Sequence, residues 1–155
     1  MSKRESLYLD TSTISFLFAD DVMERRAITR KFFAVLGTGI YRVVISDVVL
    51  FEIGRCERPL QQAMLKELES IVHERVGITG EMDDLAERYC RMGIIPRKFR
   101  DDALHIAAST VSGCDALVSW NFRHLVKLTT VREVKGVNVM LGYREIEIIT
   151  PESFV

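Results

Sequence analysis

The stretch Leu7-Tyr8-Leu9-Asp10-Thr11-Ser12 sets a short apolar run directly before an acid and two hydroxyl residues. The run predicts a buried strand over 6–9, and the hydroxyl residues can cap a helix through 14–18. In open α/β sheets, ligands bind beyond the carboxyl ends of the strands. Asp10 stands at such an end and is therefore the first candidate functional residue.

The rest of the chain alternates between strand and helix patterns. Further strands are predicted over 41–45, 75–78, 115–119 and 146–149. Helices are predicted over 22–36, 47–55, 60–72, 79–93, 101–112 and 120–128, with another through 139. Strands separated by helices indicate an α/β fold, with a mostly parallel sheet of four to five strands and helices on both faces. No linker or repeat interrupts the pattern, so residues 1–155 are expected to form a single domain.

Composition excludes several classes of protein. The chain has 155 residues, of which 48% are hydrophobic and 28% charged, and this profile argues against disorder and coiled coil. The net charge of −1 implies no broad electrostatic attraction to nucleic acid, so any such contact must be local. No apolar run approaches the roughly 18 residues of a membrane span, and no secretion signal is evident. The three cysteines have no metal-binding or redox spacing, which favours reduced thiols in a cytoplasmic protein.

Four oxygen-bearing side chains fall where the predicted sheet would bring them together. Asp10 and Asn121 follow strands, whereas Glu52 and Asp102 lie on helices that can face the same crevice. Carboxylates that converge repel one another unless a cation lies between them, and hard oxygen ligands suit Mg²⁺ or Mn²⁺. Such an ion can activate a water for in-line attack, which is the chemistry of phosphodiester hydrolysis.

Four motifs in order carry a family resemblance. They are Leu7-Tyr8-Leu9-Asp10-Thr11-Ser12, Val44-Ile45-Ser46 with Glu52-Ile53, Asp102-Ala103-Leu104-His105-Ile106-Ala107 and Leu117-Val118-Ser119-Trp120-Asn121. Together they resemble the PIN-domain family, especially the VapC-like toxins of bacterial and archaeal toxin–antitoxin modules. The resemblance implies a three-layer sandwich and a Mg²⁺- or Mn²⁺-dependent endoribonuclease. It also implies an RNA substrate, inhibition by a cognate antitoxin, and a homodimer.

The resemblance assigns roles at matching positions. Asp10, Glu52 and Asp102 correspond to the family's three metal-binding acids, and Ser119 to its hydroxyl position after the fourth strand. Asn121 stands where the family frequently has a fourth acid. An amide adds no negative charge, so the departure makes a single ion more plausible than two.

Supporting residues each have a structural alternative. Thr11 and Ser12 can hold Asp10 or a phosphate oxygen, or simply cap the helix. His105 lies three residues after Asp102, and it can contact RNA or bond Asp101 or Asp102. A set of basic residues flanks the expected cleft and can hold RNA phosphates or be merely solvated: Arg97, Lys98, Arg100, Arg123, His124 and Lys127.

Two other functions compete with the nuclease interpretation. A strand that ends in Asp10 also resembles the first motif of haloacid-dehalogenase-type phosphatases, in which the acid is a covalent nucleophile. That family usually has a second Asp two positions later, where this chain has Ser12. The other alternative is a PIN-like scaffold that binds RNA or protein without catalysis, and Asn121 is the feature that favours it.

Overall fold

A central sheet of five parallel strands organises the protein, as seen in a computed structural model that describes residues 3–155. The strands are β1 (Ser6–Leu9), β2 (Arg42–Ser46), β3 (Glu74–Val76), β4 (Ala116–Val118) and β5 (Glu147–Ile149). Their order across the sheet is β3-β2-β1-β4-β5. In the central strand, Tyr8 pairs with Val44 on one side and with Leu117 on the other.

Seven α-helices connect and cover the strands within the described residues. They are α1 (Thr11–Ser15), α2 (Met23–Gly37), α3 (Asp47–Gly54), α4 (Arg58–Glu69), α5 (Gly80–Arg91), α6 (Arg100–Val111) and α7 (Leu128–Met140). Short 3₁₀ turns cover Phe16–Phe18, Arg97–Phe99 and Pro151–Phe154. None of the helices in residues 3–155 has both the length and the apolar character needed to cross a membrane.

Two hydrophobic cores lie on opposite faces of the sheet because side chains alternate along each strand. Tyr8, Val44 and Leu117 pack in one core with residues of α5, α6 and α7. Leu7 and Val43, their strand neighbours, pack in the other core with residues of α1, α2 and α4. Because both faces are covered, β1 and β2 have apolar residues at successive positions, Leu7 to Leu9 and Val43 to Ile45.

The predicted fold class is confirmed, with every strand pair parallel. The helix predicted over 120–128 is wrong, because this segment is a loop of turns that leads into α7. Side chains in this loop form hydrogen bonds with nearby backbone groups, and these bonds compete with helix formation. Ser119 Oγ accepts from the backbone N–H of Asn121 at 2.9 Å, and Asn121 Oδ1 accepts from that of His124 at 2.9 Å.

Candidate functional site

Asp10 lies at the carboxyl end of the central strand and caps α1. Its Oδ1 accepts from Ser12 Oγ at 2.6 Å and from the Thr13 backbone N–H at 3.2 Å, while Oδ2 accepts from Ser119 Oγ at 2.5 Å. Burial raises the pKa of Asp10 above its ordinary value, although the nearby His105 and the two hydroxyl donors oppose the rise. The sequence thus buries a carboxylate that is held from both sides by hydroxyl groups.

Glu52 projects from α3 towards the same edge. Its Oε1 accepts two hydrogen bonds, from Thr11 Oγ1 at 2.9 Å and from His105 Nε2 at 2.5 Å. Burial alone would raise the pKa of Glu52, but the His105 and Thr11 bonds outweigh it and the pKa is lowered. Glu52 is therefore held as a carboxylate.

His105 is fully buried at the centre of the site. Its Nδ1 lies 2.7 Å from the hydroxyl of Tyr8, which lies 2.7 Å from Ser46 Oγ. Burial alone would lower the pKa of His105, but Glu52, Asp10 and Asp102 together raise it. The expectation that His105 bonds Asp101 or Asp102 is wrong, because α6 packs beside α3 and brings the ring to Glu52 instead.

Asp102 lies in the first turn of α6 and pairs with a second histidine, His124. Its Oδ2 lies 2.8 Å from His124 Nδ1. Burial raises the pKa of Asp102, and the bond with His124 opposes the rise. Asp101, one position earlier, turns outward and pairs with Arg55 at 3.1 Å. Asn121 contributes its Oδ1 to the backbone of His124, so this oxygen is already used within the loop.

The structure thus gathers the acidic and hydroxyl residues named from sequence at one edge of the sheet. Chemically, the donor set suits a hard divalent cation, since it consists of carboxylate oxygens. Within residues 3–155, however, no group of three His, Cys, Asp or Glu side chains is arranged so that it could hold a metal ion. The carboxylates instead bond hydroxyl groups and histidines, so all three could share one ion only after their side chains rearrange.

The basic residues divide into paired and unpaired groups. Arg97 pairs with Glu87 at 2.7 Å and Arg100 with Asp83 at 3.1 Å, so both already have a counter-charge. His124, expected to meet RNA, is instead packed beside Asp102 and against the ring of Phe99 at 4.1 Å between centroids. Of the six basic residues named from sequence, Lys98, Arg123 and Lys127 are exposed and form no ion pair with residues 3–155.

Two residues of the site were not predicted as part of it. Tyr8 reads in the sequence as one more apolar strand residue, and Ser46 as a helix cap; Ser46 Oγ does accept from the Val48 backbone N–H at 3.2 Å. The signal for Tyr8 was its hydroxyl, because a buried phenol requires a hydrogen-bond partner.

Comparison with known proteins supports the fold but does not show a function. No protein-family model matches the chain, and no curated protein matches it. Among solved structures, a chain in the structure of VapBC2 from Rickettsia felis, bound to a DNA fragment from their promoter, is similar. The match covers 94% of this chain and 98% of that chain, with a TM-score of 0.57 and 12% sequence identity. At this identity the likeness is one of fold, and it agrees with the PIN-like architecture predicted from sequence.

Proposed function

We propose that this protein is a Mg²⁺- or Mn²⁺-dependent endoribonuclease and the toxin of a toxin–antitoxin pair. The observation that carries the proposal is that carboxylates from three separate elements lie at one edge of the sheet. Asp10 bonds Ser119, Glu52 bonds His105 and Asp102 bonds His124. Burying several carboxylates near one another costs free energy. Such an arrangement is typical of functional sites and has no packing benefit.

The residues of this chain have distinct parts in the proposed reaction. Asp10, Glu52 and Asp102 would hold the divalent ion, which when bound neutralises charge on the phosphate and increases the acidity of a water. Ser12 and Ser119 fix both oxygens of Asp10 through hydrogen bonds of 2.6 and 2.5 Å. His105 and His124, the two histidines of the site, each bond a carboxylate. Neither is assigned as a general base, because a water activated by the ion would need none.

RNA would reach the site along its exposed basic rim. Arg123 and Lys127 lie on the loop that carries Asn121, and Lys98 precedes α6, which carries Asp102. Unpaired cations of this kind hold phosphates, whereas Arg97 and Arg100 would first have to leave their acidic partners. Because the net charge is −1, this rim is the local contact that RNA binding requires.

The proposal includes a protein partner and a compartment. The neighbour from Rickettsia felis is a chain of a VapB–VapC complex, which supports a cognate antitoxin for this protein. We propose in addition a homodimer and a cytoplasmic location, the latter in keeping with the free thiols of Cys56, Cys90 and Cys114. Light scattering of the purified chain, with and without a co-expressed candidate antitoxin, tests both assembly states.

The phosphatase alternative fits the geometry less well. That family usually has a second Asp two positions after the nucleophile, whereas here Ser12 stands at that position and donates to Asp10 Oδ1 at 2.6 Å. That chemistry would also leave Glu52 without a role. Hydrolysis of p-nitrophenyl phosphate that survives Glu52→Gln would favour the phosphatase. A scaffold without activity would bind RNA but cleave none in any divalent metal.

RNA cleavage tests the proposal, and the chain supplies a matched control. We expect purified protein to cut a structured RNA pool with Mg²⁺ or Mn²⁺ and to stop in EDTA. Asp102→Asn should abolish cleavage, whereas Asp101→Asn should retain it because Asp101 turns outward to Arg55. Cleavage that persists in EDTA, or equal activity in the two variants, would contradict the proposed metal site.

A further inference from the structure

A buried chain of hydrogen bonds runs from the sheet to Glu52. Ser46, at the end of β2, lies 2.7 Å from the hydroxyl of Tyr8 in β1. That hydroxyl lies 2.7 Å from His105 Nδ1, and His105 Nε2 lies 2.5 Å from Glu52 Oε1. Ser46, Tyr8 and His105 are all almost fully buried, so this chain is shielded from solvent until it reaches Glu52.

The direction of the last bond follows from the groups involved. An ionised carboxylate can only accept, so Nε2 must carry a proton and donate to Oε1. At Nδ1, Tyr8 can donate while it accepts from Ser46, or accept while it donates to Ser46. Tyr8 therefore fixes the plane of the ring in either case, and Nε2–H points at Glu52 in both.

The two carboxylate oxygens of Glu52 differ in their hydrogen bonds. Thr11 and His105 both donate to Oε1, while Oε2 accepts no hydrogen bond from residues 3–155. Every buried side-chain nitrogen or oxygen in that range has a hydrogen-bond partner. Oε2 therefore reaches solvent.

We propose that Tyr8 and His105 are positioning residues for Glu52, which hold its Oε1 so that Oε2 is presented as a ligand for a divalent cation. The inference rests on the proposed function, which supplies the cation. It gives a functional role to Tyr8 and His105, whose burial alone would be explained by packing in the core. Donors behind a metal-binding carboxylate commonly set its orientation, and their loss weakens metal affinity about 10–100-fold.

Mn²⁺ calorimetry on the complete protein, without RNA, tests the role of the histidine. We expect His105→Leu to weaken Mn²⁺ binding about 10–100-fold. His105→Gln should stay close to wild type, because the Gln amide nitrogen can occupy the place of Nε2 and donate to Glu52. His73→Leu is the matched control, since His73 bonds the Ile71 carbonyl and none of the site residues.

Tyr8→Phe tests the second positioning residue and keeps the shape of the core. We expect it to weaken Mn²⁺ binding about 10-fold, at the lower end of the range for supporting donors. Tyr89→Phe is its control, because the buried Tyr89 hydroxyl bonds Asn138 on α7 instead of the site. Should His105→Leu fail to fold, Tyr8→Phe decides the question, and Mn²⁺ binding as tight as wild type in that variant would overturn the positioning role.

Nitrogen NMR of the metal-free protein separates this inference from the proposed function. We expect a proton on His105 Nε2 that exchanges slowly with water, and faster exchange in Tyr8→Phe. An unprotonated Nε2, or a folded His105→Leu that binds Mn²⁺ as tightly as wild type, would overturn the positioning role. A wild type that binds no Mn²⁺ and cuts no RNA would instead refute the nuclease, while the Nε2 proton still reports on Glu52.

Discussion

Ser119→Ala tests how strongly the fold depends on the hydroxyl that holds Asp10. Ser119 is fully buried, donates to Asp10 Oδ2 at 2.5 Å and accepts from the Asn121 backbone N–H at 2.9 Å. A hydrogen bond to a charged group contributes about 1.5–3 kcal/mol, and an N–H left without its acceptor costs about 1 kcal/mol more. We therefore expect the free energy of unfolding to fall by about 2.5–4 kcal/mol.

Ser109→Ala supplies the matched control for this substitution. Ser109 is equally buried, but its hydroxyl donates to the Ile106 carbonyl at 2.8 Å within α6, which is a bond between neutral groups. Its loss should cost about 1 kcal/mol. Urea unfolding in EDTA at pH 7, followed by circular dichroism, measures both variants. Equal losses in the two variants would refute the reasoning that Ser119 stabilises a buried charge.

The hydrogen bond between Ser119 and Asp10 also makes the stability loss in Ser119→Ala depend on pH. Burial raises the pKa of Asp10, and the Ser119 hydroxyl opposes that rise, so Ser119→Ala should raise the pKa further. The charge-dependent part of the loss is then present at pH values above the pKa of Asp10 in the variant. It shrinks as the pH falls through that pKa, because protonated Asp10 no longer carries the buried charge. A loss that grows between pH 7 and pH 5 would contradict this sign.

Other substitutions test the rim and the fourth position. Asn121→Asp should strengthen Mn²⁺ binding in calorimetry because it adds a charge near Asp102, and unchanged affinity would place residue 121 away from the ion. Arg123→Ala and Lys127→Ala should each weaken RNA binding and reduce the salt slope of the association constant by about 1. Arg97→Ala should change that slope less, because Arg97 is paired with Glu87, and an equal effect would mean that this pair opens on RNA.

The sheet could be predicted from sequence because its information is local. A short apolar run such as Leu7-Tyr8-Leu9, bounded by turn and capping residues, predicts a buried strand without knowledge of its partners. The loop after β4 was wrongly predicted as a helix. Its apolar residues have helical spacing, but Asn121 and Ser119 bond nearby backbone groups, which competes with helix formation.

The contacts within the site depend on distant parts of the chain. Glu52 and His105 are 53 positions apart, and Tyr8 and His105 are 97 apart. Strand order places acids near one edge, which is why the position of Asp10 could be predicted. Which carboxylate meets which histidine depends on how closely α3 and α6 pack, and no local pattern records that distance. The sequence therefore indicated the acids but not their hydrogen-bond partners.

The most direct test asks whether Asp10, Glu52 and Asp102 converge on one ion. Substoichiometric Mn²⁺ broadens NMR signals near its binding site, and a chain of 17.7 kDa is small enough for backbone assignment. We expect the amide signals of these three residues to broaden first. Those around His73 should stay sharp, because His73 precedes β3 and so lies at the amino-terminal edge of the parallel sheet, away from Asp10. Broadening that begins elsewhere, or that leaves Glu52 and Asp102 unaffected, would contradict a shared metal site.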